Sequence, residues 1–337
     1  MFVEKDRTST KQIFLENDKR DAFYLKILKI LITNKTFLIL IGLVFLMSFL
    51  SEYFLTIGNI VNIIRQVSIY GIIAMGMTLV IIMGGIDLSI GAIVAIGGVV
   101  AANLIKNFGL PIWEATILAI FAGFLLGFLN GIIISKLKIA PFVITLAMMS
   151  IARGLAYVYV DGMPIVNLPK DFVRFGQGNI SFLPGPIFIF IIVIIIAYVI
   201  LHLTKLGRYI YYIGGNENAA IFSGINVTKV KTIVYALIGA FSALSGVILT
   251  ARINSAQPQA GLGYELDVIA MVIIGGTSFT GGTGTIAGTC IGVLIIGIIN
   301  NALDLLGISS YYQMIVKGLV IASAVILDVT ISNKNRQ

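Results

Sequence analysis

The side chains able to do chemistry are few, and most sit at the edges of long apolar runs. The acids near those runs are Asp87, Glu114, Glu265, Asp267, Asp304 and Asp328, and the bases inside them are Arg65, Arg153 and Lys317. A charge at membrane depth serves a proton relay, an ion site or a solute path, or else it is paired and structural. Asp87, in the turn GGIDLSIG, opens an apolar helix. It reads as an N-cap that accepts backbone N–H groups at the positive end of the helix dipole, or as an ion site. Lys317 lies about two turns into the last apolar run, with Gln313 four residues earlier on the same face. Asp304 is the nearest acid for an ion pair, and a snorkelling side chain or a place along a solute path are the other readings. Arg153, one turn before Tyr157, poses the same choice. Uncharged polar residues recur within the runs: Asn62, Gln66, Thr78, Asn130, Thr145, Asn300, Asn301 and Gln313. They suit brief contact with a neutral hydroxylated solute and equally suit hydrogen bonds between helices. The candidate path set is Asn62, Gln66, Asn300, Asn301, Gln313 and Lys317.

The motifs of covalent chemistry are missing. No GxxxxGK[ST] phosphate loop occurs, so the chain does not hydrolyse nucleotide by that route. Neither HExxH, GxSxG nor a paired-carboxylate site occurs, and no catalytic residue is assigned. Cys290 is the one cysteine and His202 the one histidine, which excludes an intrachain disulfide and a cysteine metal cluster. His202 closes an apolar run ahead of Lys205, an interfacial position. No metal site and no cofactor on this chain are expected.

The elements that position these residues are membrane helices. Of 337 residues 58% are hydrophobic and 11% charged, against about 25% charged in a soluble domain. The net charge of +8 comes from cations beside apolar runs, which points to lipid headgroups and topology rather than nucleic acid. Ten candidate spans follow: 36–55, 61–83, 89–105, 112–135, 141–160, 186–204, 227–251, 264–276, 284–304 and 310–328. The third and eighth are weak. Gly84–Gly85 interrupts the chain before the third, and Gly275–Gly276 and Gly281–Gly282 follow the eighth, the pattern of broken helices around a cavity. AMGMTLVIIMGG (74–85) and AMVIIGG (270–276) echo each other, by an internal repeat or by shared composition.

Ten spans put both termini on one side. With the termini in the cytoplasm, sixteen of the 23 Lys and Arg residues fall on that face and four (Lys106, Lys170, Arg174 and Arg252) outside. That asymmetry fixes the orientation. Residues 1–35 read as a cytoplasmic tail, amphipathic over 14–32, residues 36–328 as the membrane domain, and 329–337 as a second cytoplasmic tail. Between spans six and seven lies GGNENAAIFSGI (214–225), a polar segment bracketed by Lys205, Arg208, Lys229 and Lys231. Hydrocarbon does not accept such a segment, so it forms a cytoplasmic loop with its own small helix. Two outer loops are also candidates for docking a partner. One is 161–185, longer than ordinary connections and carrying Lys170 and Arg174, and the other is 253–263, beside Arg252.

Four stretches together carry a specific likeness: GGIDLSIG, LGRYIYYIGGNENAAIFSGINVTKVK, SAQPQAGLGYELDVIAMVIIGGTSFTGG and NNALDLLGISSYYQMIVKG. Over roughly residues 36–328 the chain resembles the permease subunits of bacterial ABC sugar importers, those for ribose most. The resemblance implies an all-α, ten-span permease fold like that of vitamin B12-type importers, in the bacterial plasma (inner) membrane. It implies a second permease copy, a separate ABC ATPase that holds ATP and Mg, and an extracytoplasmic sugar-binding protein. It also implies that 214–225 is the coupling helix, with Gly215, Asn216, Glu217, Ala219, Ala220, Ser223, Gly224 and Ile225 as the ATPase-coupling residues. Asn218 departs from the usual acid-plus-small-residues pattern. Thr283 stands where related permeases can carry a base, so the GGTGT loop is given no ATPase contact. Another pentose, a galactoside, a nucleoside or a furanosyl signal is an alternative solute. A self-contained carrier or channel is the alternative class.

Overall fold

A computed structural model of the chain describes residues 35–180 and 183–334. The chain opens with α1 (Lys35–Leu50), α2 (Ile57–Ile82), α3 (Ile90–Lys106), α4 (Ile112–Leu137) and α5 (Pro141–Tyr159). Strand β1 (Ile165–Val166), the short helix α6 (Lys170–Gln177) and strands β2 (Asn179–Ile180) and β3 (Leu183–Pro184) follow. Helix α7 (Gly185–Tyr198) continues through a π-helical turn, Val199–Leu203, to α8 (Lys205–Gly215), α9 (Glu217–Phe222) and α10 (Val227–Ile253). Strand β4 (Ser255–Ala256), α11 (Tyr264–Ile274), α12 (Ile286–Leu305) and α13 (Ser310–Lys334) complete the order. The expected N-terminal tail and its amphipathic stretch lie outside the described residues, Lys35 excepted. Helix α13 runs on past residue 328 to Lys334.

Among the described residues six helices are long and apolar enough to cross a membrane: α2, α4, α5, α7 with its π turn, α10 and α12. Helices α1 and α3 are apolar but shorter. Helix α11 has 11 residues, about 16 Å at 1.5 Å per residue and so roughly half a hydrocarbon core. The weak third and eighth runs are thus short helices in the structure.

Helices α2 and α10 form the centre of the bundle, with 78% and 72% of their apolar windows buried, whereas α5 has 22% buried and turns most of its surface outward. Helix α4 lies against α10 along Gly123, Gly127 and Gly131, spaced four apart on one face. A Cβ at these positions would overlap the backbone of Gly239, Tyr235 and Thr232 respectively. With no hydrophobic driving force between helices in lipid, such close backbone approach supplies the packing contact. A second, alanine-rich core of Ala92, Ala95, Ala115, Ala119, Ala152 and Ala156 joins α3, α4 and α5.

The two echoing stretches end alike. After α2, Gly85 N donates to Val80 O and Gly84 N to Ile81 O, with Gly84 at φ 82. After α11, Thr277 N donates to Val272 O and Gly276 N to Ile273 O, with Gly276 at φ 90. Both are Schellman ends, which place a left-handed residue just past the helix.

Candidate functional site

The segment 214–225 folds as a capped, one-and-a-half-turn helix. Asn216 adopts extended backbone, and its side-chain oxygen accepts from Ala219 N at 3.0 Å, capping α9. Ser223 Oγ donates to Ala219 O at 2.9 Å. The far end closes with Gly224 N to Ile221 O and Ile225 N to Ala220 O, a third Schellman end, and Gly224 holds φ 78. Ala220 is buried, whereas Phe222 is 92% exposed. Gly215, Asn216, Ala219, Ala220, Ser223 and Ile225, with Tyr209, Tyr211 and Tyr212 of α8, line a groove of about 620 Å3. The groove thus gathers six of the eight expected coupling residues.

The other two hold its frame. Both carboxylate oxygens of Glu217 lie 2.8 Å from Lys231 Nζ, near the start of α10. The expected acid of the motif is therefore tied to the next span of its own chain. Sequence reading missed this pairing, the groove tyrosines and the exposed Phe222. An aromatic residue in an otherwise polar segment was the available signal for the last.

Three glycine turns meet beside this helix. Gly282 N donates to Ile82 O at 2.8 Å, and a Cβ on Gly214 would overlap both atoms. Tyr211 Oη donates to Gly284 O at 2.7 Å. The end of α2, the end of α8 and the loop before α12 are therefore one joined unit. Thr78 and Thr289 link α2 to α12 again through buried hydroxyls 2.7 Å apart.

At the opposite end of the bundle the two long loops form one platform. Strand β1 pairs antiparallel with β4, Ile165 facing Ala256. Asn254 Oδ1 accepts from Leu168 N at 3.1 Å, and Gln177 Nε2 donates to Arg252 O at 2.7 Å. Arg65 donates to Gln177 O and Asn179 Oδ1. Helix α6 buries Phe172 and leaves Lys170 and Arg174 exposed, Arg174 being 3.7 Å from the equally exposed Asp171. Arg252, the third expected docking residue, is half-buried and donates to Asn62 Oδ1 at 2.7 Å. Arg153 has a structural role: it donates to Pro258 O and Ala260 O, both at 2.7 Å, and pins the second loop.

The structure gives the expected path residues separate partners. Asn62 is bonded to Arg252, and Asn301 exchanges two hydrogen bonds with Asn59. Gln66 is half-buried, and Asn300 is buried with both amide atoms unpartnered among the described residues. Lys317 pairs with Asp267, Nζ to Oδ2 at 2.8 Å, not with Asp304 as expected. Packing of α11 on α13 brings Asp267 alongside, while Asp304 accepts from Gln313 Nε2 at 2.9 Å. Lys317, Asp267, Tyr70 and Tyr264 line a cavity of about 280 Å3 between α2, α11 and α13.

The N-cap of α3 is Ser89, where Asp87 was expected. Asp87 Oδ1 instead accepts from Ser89 N at 2.8 Å and Ser89 Oγ at 2.5 Å, and Asn130 Nδ2 donates to Ser89 Oγ at 3.0 Å. The carboxylate still serves backbone, two residues earlier. Asp87 lies in the turn between α2 and α3, outside both helices, and its burial raises the carboxyl to about 6 against the lowering effect of the Ser89 and Asn130 hydrogen bonds. His202 sits exposed in the π turn against the ring of Tyr198, centroids 4.7 Å apart.

Six crossing-length helices among the described residues and glycine-tight packing between them define a multi-pass membrane protein. The chain belongs to the family described as branched-chain amino acid transport system / permease component, which matches residues 59–325. It is 52% identical over 294 residues to the ribose import permease protein RbsC of Bacillus subtilis (strain 168), covering 87% of this chain and 91% of that protein. It is 47% identical over 314 residues to the ribose import permease protein RbsC of Haemophilus influenzae (strain Rd), covering 92% and 97%. The D-allose transport system permease protein AlsC of Escherichia coli (strain K12) is 42% identical over 298 residues, covering 88% and 91%. No solved structure matches the chain. The relatives are named as permeases, transport subunits rather than enzymes.

Proposed function

We propose that this chain is the membrane permease subunit of an ATP-driven ribose importer. The observation that carries this reading is 47–52% identity to ribose import permeases over about nine tenths of the chain. The family description mentions amino acids, but the individual relatives are named for sugars. Identity is 52% with a ribose permease, 42% with the D-allose permease and 38% with an L-arabinose permease of Escherichia coli.

In this reading the chain spans the inner membrane ten times with both termini cytoplasmic, in a fold of the vitamin B12-importer kind. The apolar helices at the ten expected positions and the cation asymmetry support it. Two copies form the path. An ABC ATPase holds ATP and Mg and grips α9, with Phe222 and the tyrosine-lined groove as its contact surface. Because Glu217 binds Lys231 and Gly214 packs on Ile82, a push on α9 is passed to α10, α2 and α12 as a rigid displacement. A sugar-binding protein docks on the platform that carries Lys170 and Arg174. Liposomes containing the chain alone should not accumulate labelled ribose. Adding the ATPase, ATP and the loaded binding protein should start uptake. Uptake driven by an ion gradient without those partners would overturn the proposal.

A further inference from the structure

The cavity between α11 and α13 is unlike its surroundings. Leu262, Leu266, Met314 and two glycines line it beside two tyrosines, yet it holds a carboxylate and an ammonium 2.8 Å apart. Asp267 is 5% exposed and Lys317 28% exposed. A buried ion pair is commonly no more stabilising than apolar residues of similar size, so helix packing alone does not explain it. The lysine has three donors, and Asp267 takes one. Beside the pair, the rings of Tyr70 and Tyr264 stack at 4.4 Å, tilted by 38°. Leu262 and Met314 form an apolar, exposed mouth. The volume, about 280 Å3, lies near the lower end of small-molecule pockets, roughly 300–1,000 Å3.

We infer that this cavity is a sugar subsite: Asp267 and Lys317 bind adjacent hydroxyls of a neutral pentose-sized sugar while Tyr264 offers its ring to the C–H face. The inference rests on the importer reading and adds to it the residues that meet the solute. A carboxylate accepts from sugar hydroxyls, and the spare ammonium donors serve the neighbouring oxygens. Because the pair is neutral as a whole, the cavity has no net charge with which to hold a sugar phosphate. A phosphate there would face the Asp267 carboxylate, whose burial leaves little solvent to screen the repulsion. Only transient contact is needed, and a site with one ion pair and one aromatic platform suits weak binding.

The test places a cysteine at the mouth, Met314→Cys, with Leu262→Cys as an independent second reporter, each in a Cys290→Ser chain. The complete importer in nanodiscs is treated with a membrane-impermeant maleimide. Saturating ribose should slow modification of both reporters by roughly tenfold, ribose 5-phosphate should not, and adding Asp267→Asn or Tyr264→Leu should abolish the protection. No protection at either reporter, or equal protection by both sugars, would overturn the subsite. ATP-driven ribose uptake by unmutated importer is measured alongside. Uptake without protection sinks the subsite alone, whereas protection without uptake keeps the subsite and sinks the importer reading.

Discussion

The amide of Gly282 donates to the carbonyl of Ile82 at 2.8 Å, and Gly214 packs so closely on that bond that it has no room for a side chain. Three turns distant in sequence are thereby fastened at one point beside α9. Gly214→Ala places its methyl group on Ile82 O, and the backbone must part. Overpacking of this kind costs about 1–3 kcal/mol. The variant should insert in the membrane and unfold at lower temperature, and its ATP-driven uptake should fall by roughly tenfold or more. Wild-type uptake with an unchanged Tm would show that the junction transmits nothing.

Gly224 tests a different force. Nothing lies within 4 Å of the place a Cβ would occupy, so space is not the difficulty. Its φ of 78 is the difficulty, because a left-handed backbone costs a non-glycine residue about 1–2 kcal/mol. A β-branched residue is the least tolerant. Gly224→Val should unwind the end of α9 and leave the bundle intact. ATP hydrolysis by the assembled importer should persist while sugar moved per ATP drops. Equal coupling ratios in the two proteins would remove α9 from the mechanism.

Glu217 and Lys231 form a tie whose stability value is small, about 0–1 kcal/mol for a pair whose acid is half exposed. Its role is to hold α9 at a fixed angle to α10. Glu217→Lys should therefore uncouple transport with little change in Tm, and the charge swap Glu217→Lys with Lys231→Glu should restore uptake. A swap that fails to rescue would mean that the acid is read by the ATPase rather than by Lys231.

Asp87 links stability to pH. Its folded carboxyl stands at about 6, raised by burial from an ordinary value near 3.8. The fold therefore prefers the protonated form. That contribution is fully present below about pH 4 and is lost as pH rises through 6. Asp87 Oδ2 and Asn130 Oδ1 are both buried without a donor among the described residues. Asp87→Asn supplies a permanently neutral group at the same place. Thermal unfolding in detergent at pH 4.5 and 7.5 should show a higher Tm for the variant at pH 7.5 and a smaller pH dependence. A variant that is less stable at both pH values would contradict this sign.

The sequence made the membrane architecture legible because its signals are local. Apolar length, glycine pairs and cation placement are read one segment at a time, and the polar segment 214–225 stood out for the same reason. Pairings across the bundle were not legible. Asp304 is nearer Lys317 in sequence, but α11 presents Asp267 to α13 instead. Asp87 was expected as the N-cap, yet Ser89 holds that position and Asp87 accepts from Ser89 N. Arg252 was a candidate for docking a partner, and it is bonded to Asn62 of α2. The Lys317 and Arg252 pairings come from contacts between residues far apart in the chain, which neither spacing nor periodicity encodes, whereas the Asp87 difference is a local shift of two residues.

The central claim is that an ATPase seats on α9, and a photocrosslinker answers it most directly. With p-benzoylphenylalanine in place of Phe222, which is 92% exposed, irradiation of membranes containing the assembled importer should join the permease to the ATPase subunit. The same probe at Lys170 on the platform should join it to the sugar-binding protein and not to the ATPase. ATPase adducts at Lys170, or none at Phe222, would contradict the account.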